Sequence, residues 1–344
     1  VKALILKEYM HLEIADVPAP SIGAPDDVLV RIKASAICGS DVHGIDGSTG
    51  RRIPPLVMGH EAAGLVAAVG PAVKNVAIGD RVTFDSTIWC GECFFCRRGE
   101  VNLCDNRRVL GVSCSEYRRD GTFAEYVVVP ERIIYRLPES VAFEEAALTE
   151  PVSVAMHALR ITNMRPGENA AVVGSGLIGL LLIQIIRSYS PHRIVAFDTE
   201  PQRRAAALAA GADIALDPAD PASRKRVLEM TGGRGVDRAF EAVGASAPIA
   251  TAIAATRKGG SVTLIGNISP KAEFPLQSVV TREITLIGSC AISGEYPASL
   301  DLMASHTINL RSVISAVAPL EEGPLWFERL YRREPALLKV VLVP

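Results

Sequence analysis

The sequence predicts a mixed architecture, in which an irregular β-barrel region is joined to a doubly wound α/β region on a parallel sheet. Three observations predict it. Residues up to about 150 hold short apolar runs punctuated by Gly and Pro, as in small barrels. From residue 170, apolar strand-like runs alternate with helical stretches, as a parallel sheet requires. Between the first such strand and helix lies Gly174-Ser175-Gly176-Leu177-Ile178-Gly179. In that context the glycines let the backbone approach a pyrophosphate held at the helix N-terminus. A length of 344 residues suits about two domains.

Composition narrows the function. Hydrophobic residues make up 49% and aromatics 5%, enough for sizeable cores. A net charge of −2 with scattered Lys and Arg excludes the electrostatic footprint of a nucleic-acid binder. The apolar region from Ala170 to Ile186 is broken by Gly174, Gly176 and Gly179, so no membrane span is expected. The opening Val1-Lys2-Ala3-Leu4-Ile5-Leu6 is too short for a signal-peptide core, although the first residue is not Met and a trimmed leader stays open. Seven cysteines, four of them clustered, point to metal in a reducing compartment, and the expected location is cytoplasmic.

Taken in order, residues 1 to about 37 read as short strands, with Val28–Lys33 bounded by Pro25 and Asp26-Asp27. Cys38-Gly39-Ser40-Asp41-Val42-His43 follows, then Gly59-His60-Glu61-Ala62-Ala63-Gly64. A thiolate, an imidazole and a carboxylate suit a catalytic Zn²⁺ with one open position. Singly, Cys38 reads equally as an inert thiol and His60 as a core histidine. Ile78–Phe84 looks like a turn entering a strand.

The run Gly-His-Glu-x2-Gly-x5-Gly-x2-Val from Gly59 to Val73, with Cys-Gly-Ser-Asp-x-His upstream, resembles the signature of zinc-containing medium-chain dehydrogenases. The similarity covers essentially the whole chain and is nearest to polyol dehydrogenases. It implies a GroES-like catalytic domain over 1–150, a Rossmann NAD-binding domain inserted over 151–289, a return to the catalytic domain over 290–344, and an active site in the cleft between them.

Cys90, Cys93, Cys96 and Cys104 form C-x2-C-x2-C-x7-C, which fits a closed tetrahedral zinc site and differs from ferredoxin spacings. The resemblance implies a structural zinc lobe over about 90–104. Cys114 and Cys290 are left as ordinary thiols. Gly121–Pro130 reads as a further barrel strand, and a helix is expected over Val152–Arg160. Glu150, before Pro151, reads by itself as a helix-start carboxylate. The resemblance places it beside the catalytic zinc, where alcohol dehydrogenases carry a second Cys. Two zinc ions per chain are therefore expected, a catalytic one at Cys38, His60, Glu61 and Glu150, and a structural one.

In the second region, strands are expected at Ala170–Val173, Arg193–Phe197, Asp213–Leu216, Val236–Val243, Ser261–Ile265 and Ile284–Ile287. Asp198 ends the second strand, about twenty residues past the glycines, where an acid bonds the ribose hydroxyls and favours NAD over NADP. It also reads as a cap for the helix begun near Pro201. Arg203 and Arg204, as potential phosphate holders, keep NADP open. Val243, Ile265 and Gly266 are implied by resemblance on the nicotinamide side.

The implied activity is hydride transfer between NAD and a secondary alcohol of a polyol, giving a ketose. Ser40 and His43 match a proton relay, Asp41 reads as structural, and Glu61 and Glu150 give the metal polar surroundings. Alternatives are a galactitol-1-phosphate-like substrate held by Arg51, Arg52, Arg118 and Arg119, L-threonine, or a non-catalytic nucleotide-binding scaffold. Threonine dehydrogenases typically carry Asp where this chain has Glu150. Sorbitol dehydrogenases carry Arg-Tyr shortly after the Gly matching Gly288, where this chain has Ser289-Cys290-Ala291-Ile292. A homodimer or homotetramer is expected by analogy.

Overall fold

The computed structural model describes every residue except Ser115 and Glu116. The chain forms two compact units, one of Val1–Glu150, Ile292–Ser305 and Leu310–Pro344, the other of Pro151–Ala291 and His306–Asn309.

The first unit is organised around the strand Asp27–Ala36. Val28, Val30, Ile32 and Ala34 are buried while Arg31 is exposed, the period-two pattern of a pleated strand. It pairs antiparallel with Glu61–Val69, Tyr126–Pro130 and the C-terminal strand Lys339–Val343. Two registers matter for function. Ala36 lies opposite Glu61, and Val341 opposite that same Ala36. They bring the chain entering Cys38 and both partner strands to one place. Phe84, Val82, Val66 and Val129 pack one apolar core of this unit; Leu4, Met58, Phe123 and Phe327 pack another. The strand expected over Gly121–Pro130 is confined to Tyr126–Pro130. Its first half is held elsewhere, with the Thr122 and Phe123 amides donating to the Gly59 and Met58 carbonyls at 3.0 Å each.

In the second unit, β1 (Ala170–Val173), β2 (Ile194–Phe197), β3 (Ile214–Leu216), β4 (Val236–Glu241), β5 (Thr256–Leu264) and β6 (Thr285–Gly288) form a wholly parallel sheet. The spatial order is β3-β2-β1-β4-β5-β6. β1 and β2 are buried throughout, which explains their unbroken apolar sequences. The order reverses between β1 and β4, and in such sheets ligands bind beyond the carboxyl ends at that reversal. Gly174, Asp198, Val243 and Ile265 follow β1, β2, β4 and β5, so the parallel topology gathers them at one edge. No helix among the described residues is long and apolar enough to cross a membrane.

Candidate metal and cofactor sites

Ligand atoms of Cys38, His60 and Glu61 all lie within 4.8 Å of one another. Cys38 caps the short helix Gly39–Val42 and His60 precedes the strand Glu61–Val69. Gly59 has φ +94°, and a Cβ there would sit 2.8 Å from Thr122 Oγ1, so the turn delivering His60 needs glycine. A soft thiolate, an imidazole and a carboxylate at this separation fit a zinc ion with an open position.

The surroundings fix these groups. Asp41, wholly buried, places Oδ1 3.4 Å from His60 Nδ1, the ring nitrogen that otherwise lacks a hydrogen-bond partner. Such a carboxylate orients a metal-binding imidazole so that Nε2 faces the ion. Burial alone would push the Asp41 carboxyl up, but His60 and Arg52 outweigh it and hold it well below the usual range. Ser40 Oγ donates to Cys38 Sγ at 3.3 Å, and His43 is half-buried just beyond the same helix. Lys339 Nζ donates to Glu61 Oε2 at 2.6 Å and to the Ile37 carbonyl at 2.9 Å.

Glu150 stands in the first turn of the helix Thr149–Thr162, outside the set of three close ligands. Its carboxyl is pushed up to about 8 by burial and by Glu61 and Asp85, against the pull of His60 and Lys339. It is thus electrically part of the site.

Cys90, Cys93, Cys96 and Cys104 converge with sulfurs within 4.8 Å of one another. Cys93 caps the helical turn Phe94–Arg97, accepting from the Cys96 amide at 3.5 Å, so one tight turn presents two sulfurs. The Glu92 and Cys93 amides pull the Cys90 thiol down to about 6. Four sulfurs with no open position fit structural zinc.

In the second unit, Gly176 caps the helix Leu177–Ser188 with no side-chain bond, and a Cβ there would meet open space. At Gly179, a Cβ would lie 1.9 Å from the Gly174 carbonyl oxygen, so the helix packs against the loop only through glycine. Ser175 Oγ is buried without a partner. A bare helix N-terminus beside a glycine loop and an orphaned hydroxyl fit a dinucleotide pyrophosphate. Asp198 accepts from the Ser175 amide at 2.8 Å and the Glu200 amide at 2.9 Å, linking the end of β2 to the glycine loop. Arg203 is exposed; Arg204 donates to the Asp198 and Thr199 carbonyls at 2.8 Å each.

Sequence reasoning missed three positioning residues. Glu241, buried at the end of β4, accepts from the Val243 and Gly244 amides at 2.8 and 2.9 Å, while its carbonyl accepts from Ile265 and Gly266 at 2.8 and 3.1 Å. It thereby shapes both loops; a charged residue closing an apolar strand was the available signal. Lys339, in an apolar C-terminal strand, gave a similar one. Arg52, grouped with the phosphate candidates, is instead buried against Asp41 at 2.9 Å. Arg118 and Arg119 donate to the Pro55 and Val128 carbonyls at 3.3 and 2.8 Å, so the four arginines do not act as one exposed cluster.

Comparison with known proteins agrees with this geometry. Residues 24–139 match the model of the alcohol dehydrogenase GroES-like domain, and residues 178–305 that of zinc-binding dehydrogenase. Sorbitol dehydrogenase of Bacillus subtilis (strain 168) is 31% identical over 349 residues, covering 100% of this chain and 97% of the relative. A crystal structure named as a zinc-binding dehydrogenase from Sinorhizobium meliloti 1021, bound to NADP, is 30% identical with a TM-score of 0.90, covering 100% of this chain and 99% of its own. Galactitol-1-phosphate dehydrogenase from Escherichia coli is 25% identical with a TM-score of 0.92, both chains covered in full. The chain belongs to the zinc-binding alcohol dehydrogenase family and is a zinc-dependent oxidoreductase working with a nicotinamide dinucleotide.

Proposed function

We propose that the protein oxidises a secondary alcohol of an unphosphorylated polyol or sugar alcohol to the ketose, with NAD as acceptor. The carrying observation is the carboxylate-rich metal set, in which Glu61 joins Cys38 and His60 and Glu150 is electrically coupled to both His60 and Glu61. Carboxyl groups beside the reacting carbon, protonated at Glu150 where burial raises the group to about 8, exchange hydrogen bonds with flanking hydroxyls, which a simple alcohol would leave unmade.

A zinc ion at this site supplies Lewis acidity, favouring release of the proton from the substrate hydroxyl. Cys38, His60 and Glu61 hold it, with Glu150 facing the same place. Asp41 keeps the His60 ring in register. Ser40, beside Cys38, takes up the released proton as its own hydroxyl proton leaves, and His43 passes that second proton towards water. The glycine loop seats the pyrophosphate, while Val243, Ile265 and Gly266 flank the nicotinamide. Asp198 meets the adenosine ribose and opposes a 2′-phosphate. The Sinorhizobium neighbour carries NADP, so the choice of NAD is drawn from this chain's own Asp198.

Arg52 and Arg119 are committed inside the protein, which favours the unphosphorylated substrate. A homodimer or homotetramer is supported by strand β6 at the edge of its sheet and by exposed Phe274, Leu276 and Val280 nearby in sequence. The cytoplasm is the proposed location, from four clustered cysteines that read as metal holders in a reducing compartment.

The test is kcat/KM by NADH absorbance across polyols, polyol phosphates, threonine and simple alcohols. A polyol is expected to lead. Faster turnover of threonine or primary alcohols than of every polyol overturns the substrate, and no turnover of any alcohol overturns the enzyme reading.

A further inference from the structure

We propose that Arg52 is a positioning residue for the metal and proton-relay groups. Its guanidinium ties the Ser40 hydroxyl to the Asp41 carboxylate and balances the charge of that carboxylate behind His60. The inference rests on the reading of Cys38, His60 and Glu61 as metal holders and of Ser40 as the first relay group.

The geometry is a fork. Arg52 Nε and Nη2 donate to Asp41 Oδ1 at 3.2 and 2.9 Å, and Nη2 also donates to Ser40 Oγ at 3.3 Å. The Arg52 side chain is 4% exposed and that of Asp41 not at all. Asp41 Oδ1 is the same oxygen that lies 3.4 Å from His60 Nδ1, so a single atom faces both the imidazole and the guanidinium. The fold makes room for this arrangement. A Cβ on Gly44 would lie 2.4 Å from Arg52 Cγ, so the residue after His43 must be glycine for the arginine to pass. The segment carrying Arg52 is fastened too. Ser113 Oγ accepts from the Ile53 amide at 2.5 Å and donates to the Ile53 carbonyl at 2.8 Å, while the Ser113 amide donates to the Arg51 carbonyl at 3.3 Å.

Two consequences follow from the chemistry of the group. A guanidinium does not lose its proton, so it places a permanent positive charge here, and its planar fork reaches two acceptors together. First, Asp41 orients His60 without its full charge bearing on the ring, which must be neutral at Nε2 to bind metal. Second, Ser40 Oγ accepts from Arg52 at one lone pair, which fixes the hydroxyl beside Cys38 Sγ at 3.3 Å and leaves its second lone pair for the incoming proton. The other charged groups about His60 are Cys38, which Arg52 reaches only through Ser40, and the Glu61–Lys339 pair and Glu150, to which Arg52 makes no bond.

The test compares Arg52→Met, Arg52→Lys and the double variant Asp41→Asn/Arg52→Met with wild type. Readouts are the pH dependence of kcat/KM of the zinc enzyme, and the visible absorption of protein loaded with Co²⁺ at the open site, titrated without substrate. Losing the fixed positive charge should move the acid limb of Arg52→Met alkaline by about one pH unit, with the Co²⁺ band moving in the same sense. Arg52→Lys should keep the limb but lower kcat about tenfold, because an ammonium holds only one of the two acceptors well. Removing both charges in the double variant should return the limb towards wild type. An Arg52→Met protein with normal melting and four-thiolate zinc, but with limb and band unmoved, overturns the proposal. If Arg52→Met does not fold, Arg52→Lys decides, and wild-type kcat and KM there overturn it. Wild-type protein that takes up no Co²⁺ outside the cysteine lobe defeats the underlying metal reading; bound Co²⁺ with unmoved spectra defeats only the role of Arg52.

Discussion

Lys339 donates to Glu61 across 2.6 Å, the two side chains 0% and 1% exposed and 278 residues apart in sequence. Burial pulls the Lys339 ammonium down, but Glu61, Cys38 and Glu150 outweigh it and hold it above its ordinary value. Without metal, a buried carboxylate left alone is costly, so Lys339→Met should lower the stability of the metal-free protein by about 3–5 kcal/mol, read from urea unfolding. Adding Glu61→Gln should recover most of the loss. Because the folded-state pKa of Lys339 is raised, the pair contributes fully below the unfolded lysine value of about 10.4 and is lost as pH rises past it. The difference between wild type and Lys339→Met should therefore be flat through neutrality and shrink only in strong alkali.

The two metal sites should separate. Four clustered sulfurs with no open position exchange metal slowly, whereas three donors around an open position exchange faster. Limited chelation should abolish turnover before it disturbs the fold, and Cys38→Ser should retain about one zinc. Metal analysis checks both; active wild-type protein with a single zinc would contradict the assignment.

Asp198→Ala should weaken NAD binding by about 1–3 kcal/mol and narrow the preference over NADP, on the scale of a lost charge-assisted hydrogen bond. The carboxylate also holds the Ser175 and Glu200 amides, so Asp198→Asn, which keeps an acceptor, should lose less. Kd values for both cofactors distinguish the variants. A wild-type preference for NADP would refute the role of Asp198.

Arg238 grips Glu168 with two bonds of 2.9 Å, Nε to Oε2 and Nη2 to Oε1. Burial raises the Glu168 carboxyl, but Arg238 and the Arg165 amide outweigh it and hold it below its ordinary value. A lowered carboxylate pKa stabilises the fold above the unfolded value of about 4.3 and stops doing so as pH falls through the folded one. Glu168→Gln should destabilise at neutral pH, and its deficit should vanish in acid. Melting temperatures of both proteins between neutral pH and pH 3 follow this convergence; a pH-independent gap would show that the ion pair is not responsible.

Much of this protein was legible as local pattern. The close spacing of Cys90, Cys93, Cys96 and Cys104 needs only one short loop to bring the sulfurs together. A buried strand, a glycine turn and an apolar helix announce the dinucleotide fold because each signal lies within a few residues of the next. Alternating strands and helices likewise dictate a parallel sheet, since parallel neighbours need crossovers. Strand ends were less legible. The segment before Tyr126 is apolar enough for a strand but spends its amides on the Met58 and Gly59 carbonyls.

What the sequence determined by itself was therefore the fold, the family and the residue types able to hold metal and cofactor. Tertiary structure alone decided which charges meet. Arg51 and Arg52 are adjacent and chemically alike, yet one is exposed and the other lies buried on Asp41 in the space left by Gly44. Glu61 and Glu150 looked equivalent, but only Glu61 falls within the close ligand set, and it shares its carboxylate with Lys339. That pairing depends on two strand registers, Ala36 against Glu61 and Val341 against Ala36. A shift of one residue would turn those side chains to the opposite face, and sheet packing, not sequence spacing, sets which register is kept.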